Sequence, residues 1–284
     1  MKRVAIICKK GKASHKIIRQ IITLLVDRGC SVALTEGADW GSPSVSILDE
    51  KDVIEGAQLV LVLGGDGTLI HTSHLLNGRD IPVLGVNLGT LGFLTDFPLN
   101  QVEEVIDDVL NDNFKISKRQ MLRATLMRDD TEVLSRPVLN DAVINKGALA
   151  RILRVDAYTA GDKLLSSYRA DGLIISTPTG STAYNMSAGG PVLFPTMAAF
   201  CITPICPHTF ANRPVVLPDD ERVTVKLVEA NGDVYLSLDG QEGIEMLEGD
   251  RLEVWRAKLS ISLIRSPNVD FFHILRHKLG WGRN

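Results

Sequence analysis

Apolar positions in the first third of the chain follow two alternating patterns. Short β-branched runs occur at Val4–Cys8, Val32–Leu34, Leu59–Leu63 and Val83–Val86. Their apolar side chains are consecutive, which is the pattern of strands buried on both faces. Between them the apolar residues recur at helical spacing. His15–Arg28 places Ile17, Ile18, Ile21, Ile22, Leu24 and Leu25 on one face and stops at Gly29. The spacing predicts further helices over Thr68–Leu76 and Gln101–Leu110. Strands alternating with helices predict a parallel sheet covered by helices.

Near Ile116 the pattern changes, and from Leu122 to Ile264 strand signals follow one another closely. Arg222–Val228 alternates apolar and polar, and so does Asp233–Leu238. The Asn231-Gly232 pair between them is the signature of a type I′ turn, so a β-hairpin is expected here. Alternation recurs at Arg251–Trp255 and Leu259–Ile264. The expected fold is α/β: an N-terminal parallel-sheet domain plus a β-rich, sandwich-like C-terminal domain. Phe271–Leu279 returns to helical spacing and is expected to pack back on the first domain. The expected division is residues 1–117 with 265–284, and residues 118–264. There is no internal repeat, low-complexity segment or long linker.

Composition narrows the function classes. The chain has 284 residues, 45% apolar and 23% charged, with a net charge of −3. Mixed charge without a basic field argues against a nucleic-acid partner. The first apolar run, between Lys2-Arg3 and Lys9-Lys10, is too short for a signal peptide. No run approaches the ~18 apolar residues of a membrane span. Cys8, Cys30, Cys201 and Cys206 form no CxxC pair and no zinc spacing with histidine. They read as reduced structural thiols, which fits a cytoplasmic protein.

Two segments carry candidate chemistry. Gly64-Gly65-Asp66-Gly67-Thr68 lies between a buried strand and a helix, at the carboxyl end of a parallel strand, where open α/β sheets bind ligands. Its glycines let the backbone approach a ligand, and the amides that open the helix favour phosphate. Asp66 is out of place beside phosphate unless a metal intervenes or it accepts a proton from an attacking hydroxyl. The plain structural reading is a tight turn in which Asp66 caps the helix. Neither GxxxxGK[ST] nor GxGxxG is present. The second segment runs from Asp171 to Pro191, DGLIISTPTGSTAYNMSAGGP. A short strand enters a turn rich in glycine and hydroxyl groups, and a short helix is expected near Gly180. Its hydroxyls and amides can bind the polar groups of a nucleotide, or simply satisfy local backbone.

Together these segments resemble the ATP-NAD kinase family in its bacterial form. The likeness covers nearly the whole chain. GGDGT alone is shared with lipid kinases and phosphofructokinases, whereas the 171–191 segment is specific. Gly85–Leu94 (GVNLGTLGFL), Asn140-Asp141, Pro207-His208-Thr209 with Arg213-Pro214, and Asp239-Gly240-Gln241 reinforce it.

The resemblance implies transfer of the terminal phosphoryl group of ATP, with polyphosphate as a possible donor, to the 2′-hydroxyl of the adenosine ribose of NAD. It implies Asp66 as catalytic base and Gly64, Gly65, Gly67 and Thr68 as the phosphate-binding turn. It implies NAD contacts from Asp66, Gly67, His71, Asn140, Asp141, Arg151, Arg169, Asp171, Thr182, Ala183, Tyr184, Asn185, Met186, Ser187 and Gln241. Asp141 is the shorter acid where many members carry Glu. A carboxylate need not deprotonate a ribose hydroxyl in advance, because in a loose phosphoryl-transfer transition state orientation and late proton acceptance suffice. Mg²⁺ or Mn²⁺ is expected, held mainly by ATP phosphates rather than by a protein cage. A homodimer or homotetramer without membrane or nucleic acid is implied. The site would lie in the cleft between the two domains.

Several residues read both ways. His71 and His74, at i and i+3, are a metal pair or, more simply, a helix-surface pair with one ligand-facing ring. His208 reads as a structural hydrogen-bonding residue in its loop. Asp107-Asp108 reads as solvated surface. Lys9, Lys10 and Lys12 read as a phosphate contact or a surface cluster, and Trp281 as an anchor of the last helix. Two other functions fit parts of the pattern. One is a lipid or sugar-phosphate kinase sharing the GGDG turn, for which the chain lacks a basic amphipathic helix. The other is a non-catalytic NAD(P) sensor, in which a carboxylate beside phosphate would serve nothing.

Overall fold

The computed structural model describes residues 1–8, 15–35, 42–147, 152–209, 211–241, 243–266 and 270–280. Lys9, Lys10, Lys12, Arg151 and Trp281 lie outside the described residues. The chain divides into two compact units, Met1–Lys118 with Ile261–Asn284, and Arg119–Ser260.

In the first unit the chain runs β1 (Arg3–Cys8), α1 (His15–Asp27), β2 (Ser31–Leu34), β3 (Val45–Ile47), β4 (Leu59–Gly64), α2 (Asp66–Leu76), β5 (Val83–Asn87), β6 (Phe97–Pro98) and α3 (Val102–Leu110). Strands β5, β4, β1, β2 and β3 pair in that order, all parallel. The consecutive apolar runs do what their pattern predicts, and every residue of β4 is buried. Ile21, Ile22 and Leu25 of α1 and Val105, Ile106 and Val109 of α3 pack with these strands in one core. Burying each such side chain contributes roughly 1.5–3 kcal/mol. Helix α2 begins at Asp66, two residues before the expected Thr68, because Gly65 alone makes the turn in extended backbone, φ −114° and ψ −170°. Asp107 and Asp108 lie on the solvated side of α3, and Asp107, about half exposed, is also ion-paired. The Arg28 guanidinium after α1 bonds both of its carboxylate oxygens and holds the carboxyl below its usual range.

The second unit is built from β7 (Lys115–Arg128) from Arg119 onward, β8 (Thr131–Val138), β9 (Asp141–Lys146), β10 (Leu153–Thr159), β11 (Lys163–Ala170), β12 (Gly172–Ser176), α4 (Tyr184–Ser187), β13 (Ala199–Ile205), β14 (Val215–Pro218), β15 (Val223–Glu229), β16 (Val234–Leu238), β17 (Ile244–Met246) and the first ten residues of β18 (Arg251–Arg265). Strands β11, β10, β15 and β18 form one antiparallel layer. Strands β14, β13, β12, β9, β16 and β17 form the other. The last residues of β18, Leu263 and Ile264, pair in parallel with β5 in the first unit. A helix, α5 (Phe271–Leu279), ends the described chain. Its Asp270 cap accepts from the His273 amide at 2.6 Å.

The expected hairpin over 222–238 is not formed. Strand β15 pairs with β10 and β18 in one layer, and β16 pairs with β9 and β17 in the other. Alternation is the same for strands of either layer, and only register distinguishes them. Val223, Val225 and Leu227 meet Val234, Leu236 and Leu238 across the sandwich core rather than side by side. Type I′ geometry needs positive φ at both central residues, but only Gly232 has it, at +121°. The two alternating segments at 251–255 and 259–264 are likewise one strand, β18. Of the four free cysteines, Cys30 and Cys201 are buried as structural thiols are. Cys206 corrects that reading, since it is exposed on a turn with φ +46°.

Candidate active site

In the first unit, Asp66 opens α2 but does not cap it, since the cap is Gly65 and carries no side-chain hydrogen bond. The carboxylate instead accepts from three consecutive backbone amides: Phe93 N to Oδ2 at 2.9 Å, Leu94 N to Oδ1 at 3.0 Å and Thr95 N to Oδ1 at 3.3 Å. The Thr95 hydroxyl also donates to Oδ1, at 3.3 Å. Oδ1 is crowded with donors, whereas Oδ2 takes one described donor and keeps a lone pair for another partner. Gly92 makes this approach possible, because a Cβ there would lie 2.1 Å from Asp66 Oδ1.

The turn beside Asp66 is open. A Cβ on Gly65 or Gly67 would meet nothing within 4 Å. An uncapped helix start with open glycines is where an anion can approach backbone amides. Thr68 is different, being buried with its hydroxyl against Gly64, so it packs the turn from within. His71 Nε2 lies 2.5 Å from Glu50 Oε1, and both side chains are about half exposed. Among the described residues, no group of three or more His, Cys, Asp or Glu stands together as a metal cage.

In the second unit, Asp239 follows β16 with φ +53°. Its carboxylate accepts from Leu139 N at 2.8 Å, Asn140 N at 2.7 Å and Asp141 N at 3.0 Å. The Asn140 carbonyl accepts from Thr177 N at 2.9 Å, and Thr177 Oγ1 donates to the Leu139 carbonyl at 2.6 Å. Asn140, Asp141 and the loop after β12 are thereby fixed to one another. The Asn140 carboxamide makes no hydrogen bond among the described residues. Asp141 is only 5% exposed. Burial, and then the nearby charge of Asp239, push its carboxyl up to about 7. It can therefore either donate or accept near neutral pH.

The loop of Thr182 to Ser187 hangs from one side chain. Asn185 Nδ2 donates to the Ser181 and Pro191 carbonyls at 3.1 and 3.0 Å. Its Oδ1 accepts from Thr203 Oγ1 at 2.6 Å and Cys201 Sγ at 3.2 Å. Burial pushes the Cys201 thiol up to about 12, so it stays a neutral donor. Gly190 passes so close that a Cβ would sit 2.1 Å from Asn185 Oδ1. Asn185 thus spends its side chain inside the loop, while Tyr184 and Ser187 face outward and Thr182, Ala183 and Met186 are half-buried. The Thr179 hydroxyl is buried with no partner among the described residues.

Not every expected residue joins this group. Gln241 does, on the turn after Asp239, with its amide bonded to the Leu238 carbonyl at 3.0 Å. Arg169 and Asp171 do not. They precede β12, whereas the loop follows it, a separation of about 16 Å for a five-residue strand. Asp171 lies 3.6 Å from Lys146, and the Arg169 carbonyl accepts from His208 N at 2.9 Å. Sequence reasoning missed the holding roles of Gly92, Phe93, Leu94, Thr95, Thr177 and Asp239. The available signals were the glycine in the 85–94 segment and the Asp-Gly pair at 239–240.

A family model described as the ATP-NAD kinase N-terminal domain matches residues 4–114. Another, described as the ATP-NAD kinase C-terminal domain, matches residues 139–266. The NAD kinase of Trichlorobacter lovleyi is 47% identical over 285 residues, covering 99% of each chain. That of Geobacter metallireducens is 46% identical over 283 residues, again covering 99% of each. The crystal structure of yeast NADH kinase complexed with NADH has a TM-score of 0.90 at 27% identity, covering all of this chain and 89% of that one. An NAD kinase from Archaeoglobus fulgidus in complex with ATP has a TM-score of 0.76 at 22% identity, covering 98% of each chain, a likeness of fold.

Proposed function

The chain belongs to the ATP-NAD kinase family, and we propose that Asp66 accepts the proton of the adenosine-ribose 2′-hydroxyl while the terminal phosphoryl group of ATP moves to that oxygen. The protein is an NAD kinase, and its product is NADP. The new bond joins the 2′-oxygen to the γ-phosphorus, the γ-phosphorus bond to the bridging oxygen breaks, and ADP leaves. The proton goes to Asp66 Oδ2. The observation that carries this role is the set of three amides on Asp66, which fixes the carboxylate and leaves a lone pair on Oδ2.

Gly64, Gly65 and Gly67 are proposed to bring phosphate against the amides that open α2, with Thr68 closing the turn. Asn140, Asp141, Thr182, Ala183, Tyr184, Met186, Ser187 and Gln241 are proposed to receive NAD. Asp141, with donor and acceptor capacity near neutral pH, suits an adenine edge or a ribose diol. Asn185 shapes that surface from within. His71, Arg151, Arg169 and Asp171 are proposed as further contacts, Arg169 and Asp171 reaching a separate part of the dinucleotide from the opposite end of β12 to the 182–187 loop.

Mg²⁺ or Mn²⁺ is proposed to be carried by the nucleotide phosphates, whose oxygens suit such hard cations. When bound, the cation supplies neutralisation of the charge on those phosphates. A homodimer or homotetramer is proposed from the family resemblance alone. No described helix is long and apolar enough to cross a membrane. A cytoplasmic location is proposed from the cysteine usage.

The test is Asp66→Asn, assayed for NADP formation with ATP and Mg²⁺. Turnover is expected to fall by about 10²–10⁴-fold with NAD binding kept, the usual range for loss of a general base. An Asn variant at full speed would remove Asp66 from that role. Substituting polyphosphate for ATP and NADH for NAD in the same assay identifies the donor and acceptor.

A further inference from the structure

The peptide joining Phe93 to Leu94 is bonded at both ends. Its N–H donates to Asp66 Oδ1 at 3.0 Å, and its carbonyl accepts from Arg265 Nη1 at 3.1 Å. Arg265 Nε lies 3.3 Å from Asp96 Oδ2. The same carboxylate oxygen accepts from Ser266 N at 3.2 Å. The Asp96 side chain is fully buried and that of Arg265 is 13% exposed. Arg265 therefore ties the end of β18 to the loop that holds Asp66, through a planar fork reaching a carboxylate and a carbonyl at once.

We propose that Arg265, with Asp96, is a positioning residue for the phosphoryl transfer. It fixes the Phe93–Thr95 amides and so aims the open lone pair of Asp66 Oδ2. Two physical effects act together. The buried ion pair sets where the loop lies, since an unpaired charge at Asp96 is strongly unfavourable. The guanidinium on the Phe93 carbonyl also polarises the peptide, which makes the Leu94 N–H a stronger donor to Asp66. The inference rests on the reading of Asp66 as proton acceptor.

Lysine does not replace this arrangement, because an ammonium is a point charge without the fork. Arg265 also borders a cavity of about 370 Å³ with Phe97, Glu104, Asp108 and Phe114, so a small solute can reach its position.

The experiment is a kinetic cycle on the full chain with ATP, Mg²⁺ and NAD. It uses Arg265→Ala, Arg265→Lys, Asp66→Asn and the Arg265→Ala/Asp66→Asn double variant. Arg265→Ala is expected to lower kcat about 10–100-fold, the scale of a small misplacement at a reacting centre, with KM for either substrate moved less than about threefold. Arg265→Lys is expected to lose a similar factor, and it carries the test if the alanine variant does not fold. Added guanidinium ion is expected to restore part of kcat to Arg265→Ala and none to the double variant. In the Asp66→Asn background, removing Arg265 is expected to change kcat less than about twofold, because the group it aims is gone. An equal loss in both backgrounds, a change in KM alone, or a fully active Arg265→Lys would overturn the positioning role while leaving Asp66 as acceptor. A fully active Asp66→Asn would instead overturn the reading beneath it.

Discussion

Each unit holds one aspartate by three consecutive backbone amides, and the two are used differently. Asp66 takes the amides of Phe93, Leu94 and Thr95, and Asp239 takes those of Leu139, Asn140 and Asp141. Asp66 stands at a helix start beside open glycines, with an oxygen that can still act on a ligand. Asp239 stands behind the segment it holds, and a second carboxylate, Asp141, is buried close to it. It sets the path of 139–141, and its charge adds to burial in raising the Asp141 carboxyl. The same hydrogen-bond pattern holds the proposed proton acceptor in one place and sets a backbone path in the other. What separates the two is their setting: Asp66 opens a helix, whereas Asp239 follows a strand and lies near the buried carboxyl of Asp141.

Paired substitutions test this difference most strongly. Asp66→Asn removes one lone-pair acceptor from a fixed carboxylate and is expected to act on kcat, as given above. Asp239→Asn leaves three amides sharing a single carbonyl oxygen. It is expected to raise KM for NAD about tenfold or more and to lower thermal stability, with a smaller effect on kcat. Equal effects of both substitutions on kcat would end the distinction.

The next effect concerns pH. An unfolded chain ionises Asp141 near its ordinary value of 3.8, whereas the folded protein does so near 7. Between these values the folded state holds a proton that the unfolded state has released. Stability therefore falls as pH rises from about 4 to about 7 and is level above that. Asp141→Asn removes this slope. Relative to wild type, the variant is expected to gain up to a few kcal/mol at pH 8 and almost nothing at pH 4. Urea unfolding at the two pH values measures it, and a pH-independent difference would place the cause elsewhere.

The smallest expected change is at Gly92. An alanine methyl must push either Asp66 or the 92–95 loop aside. Gly92→Ala is expected to cost about 1–3 kcal/mol of stability, the usual range for overpacking, and to lower kcat with little change in KM. Unchanged kcat would show that the carboxylate tolerates displacement.

The parallel sheet was legible because β4 is apolar at consecutive positions and is buried on both faces. The sandwich was legible as alternation, but its pairing was not. Val223–Glu229 and Val234–Leu238 alternate identically whichever layer they join, and the Asn231-Gly232 signal describes a turn without saying which strands it connects. The GGDGT turn was legible as an open strand-to-helix turn from its glycines and its place after a strand. The arrangement of Asp66 was not, because its donors lie 27 to 29 residues further on and are backbone groups, which any residue type supplies. The partners of Asn185 were not legible either, because tertiary structure turns its carboxamide inward onto Cys201 and Thr203, which lie 16 and 18 residues away.

That inward carboxamide has a thermodynamic consequence. The segment from Ser181 to Pro191 is tied down by Asn185 before any dinucleotide arrives. Its ordering belongs to folding, so little conformational entropy remains to be lost on binding. Its amides should accordingly exchange with deuterium slowly in the ligand-free protein and change little when NAD is added.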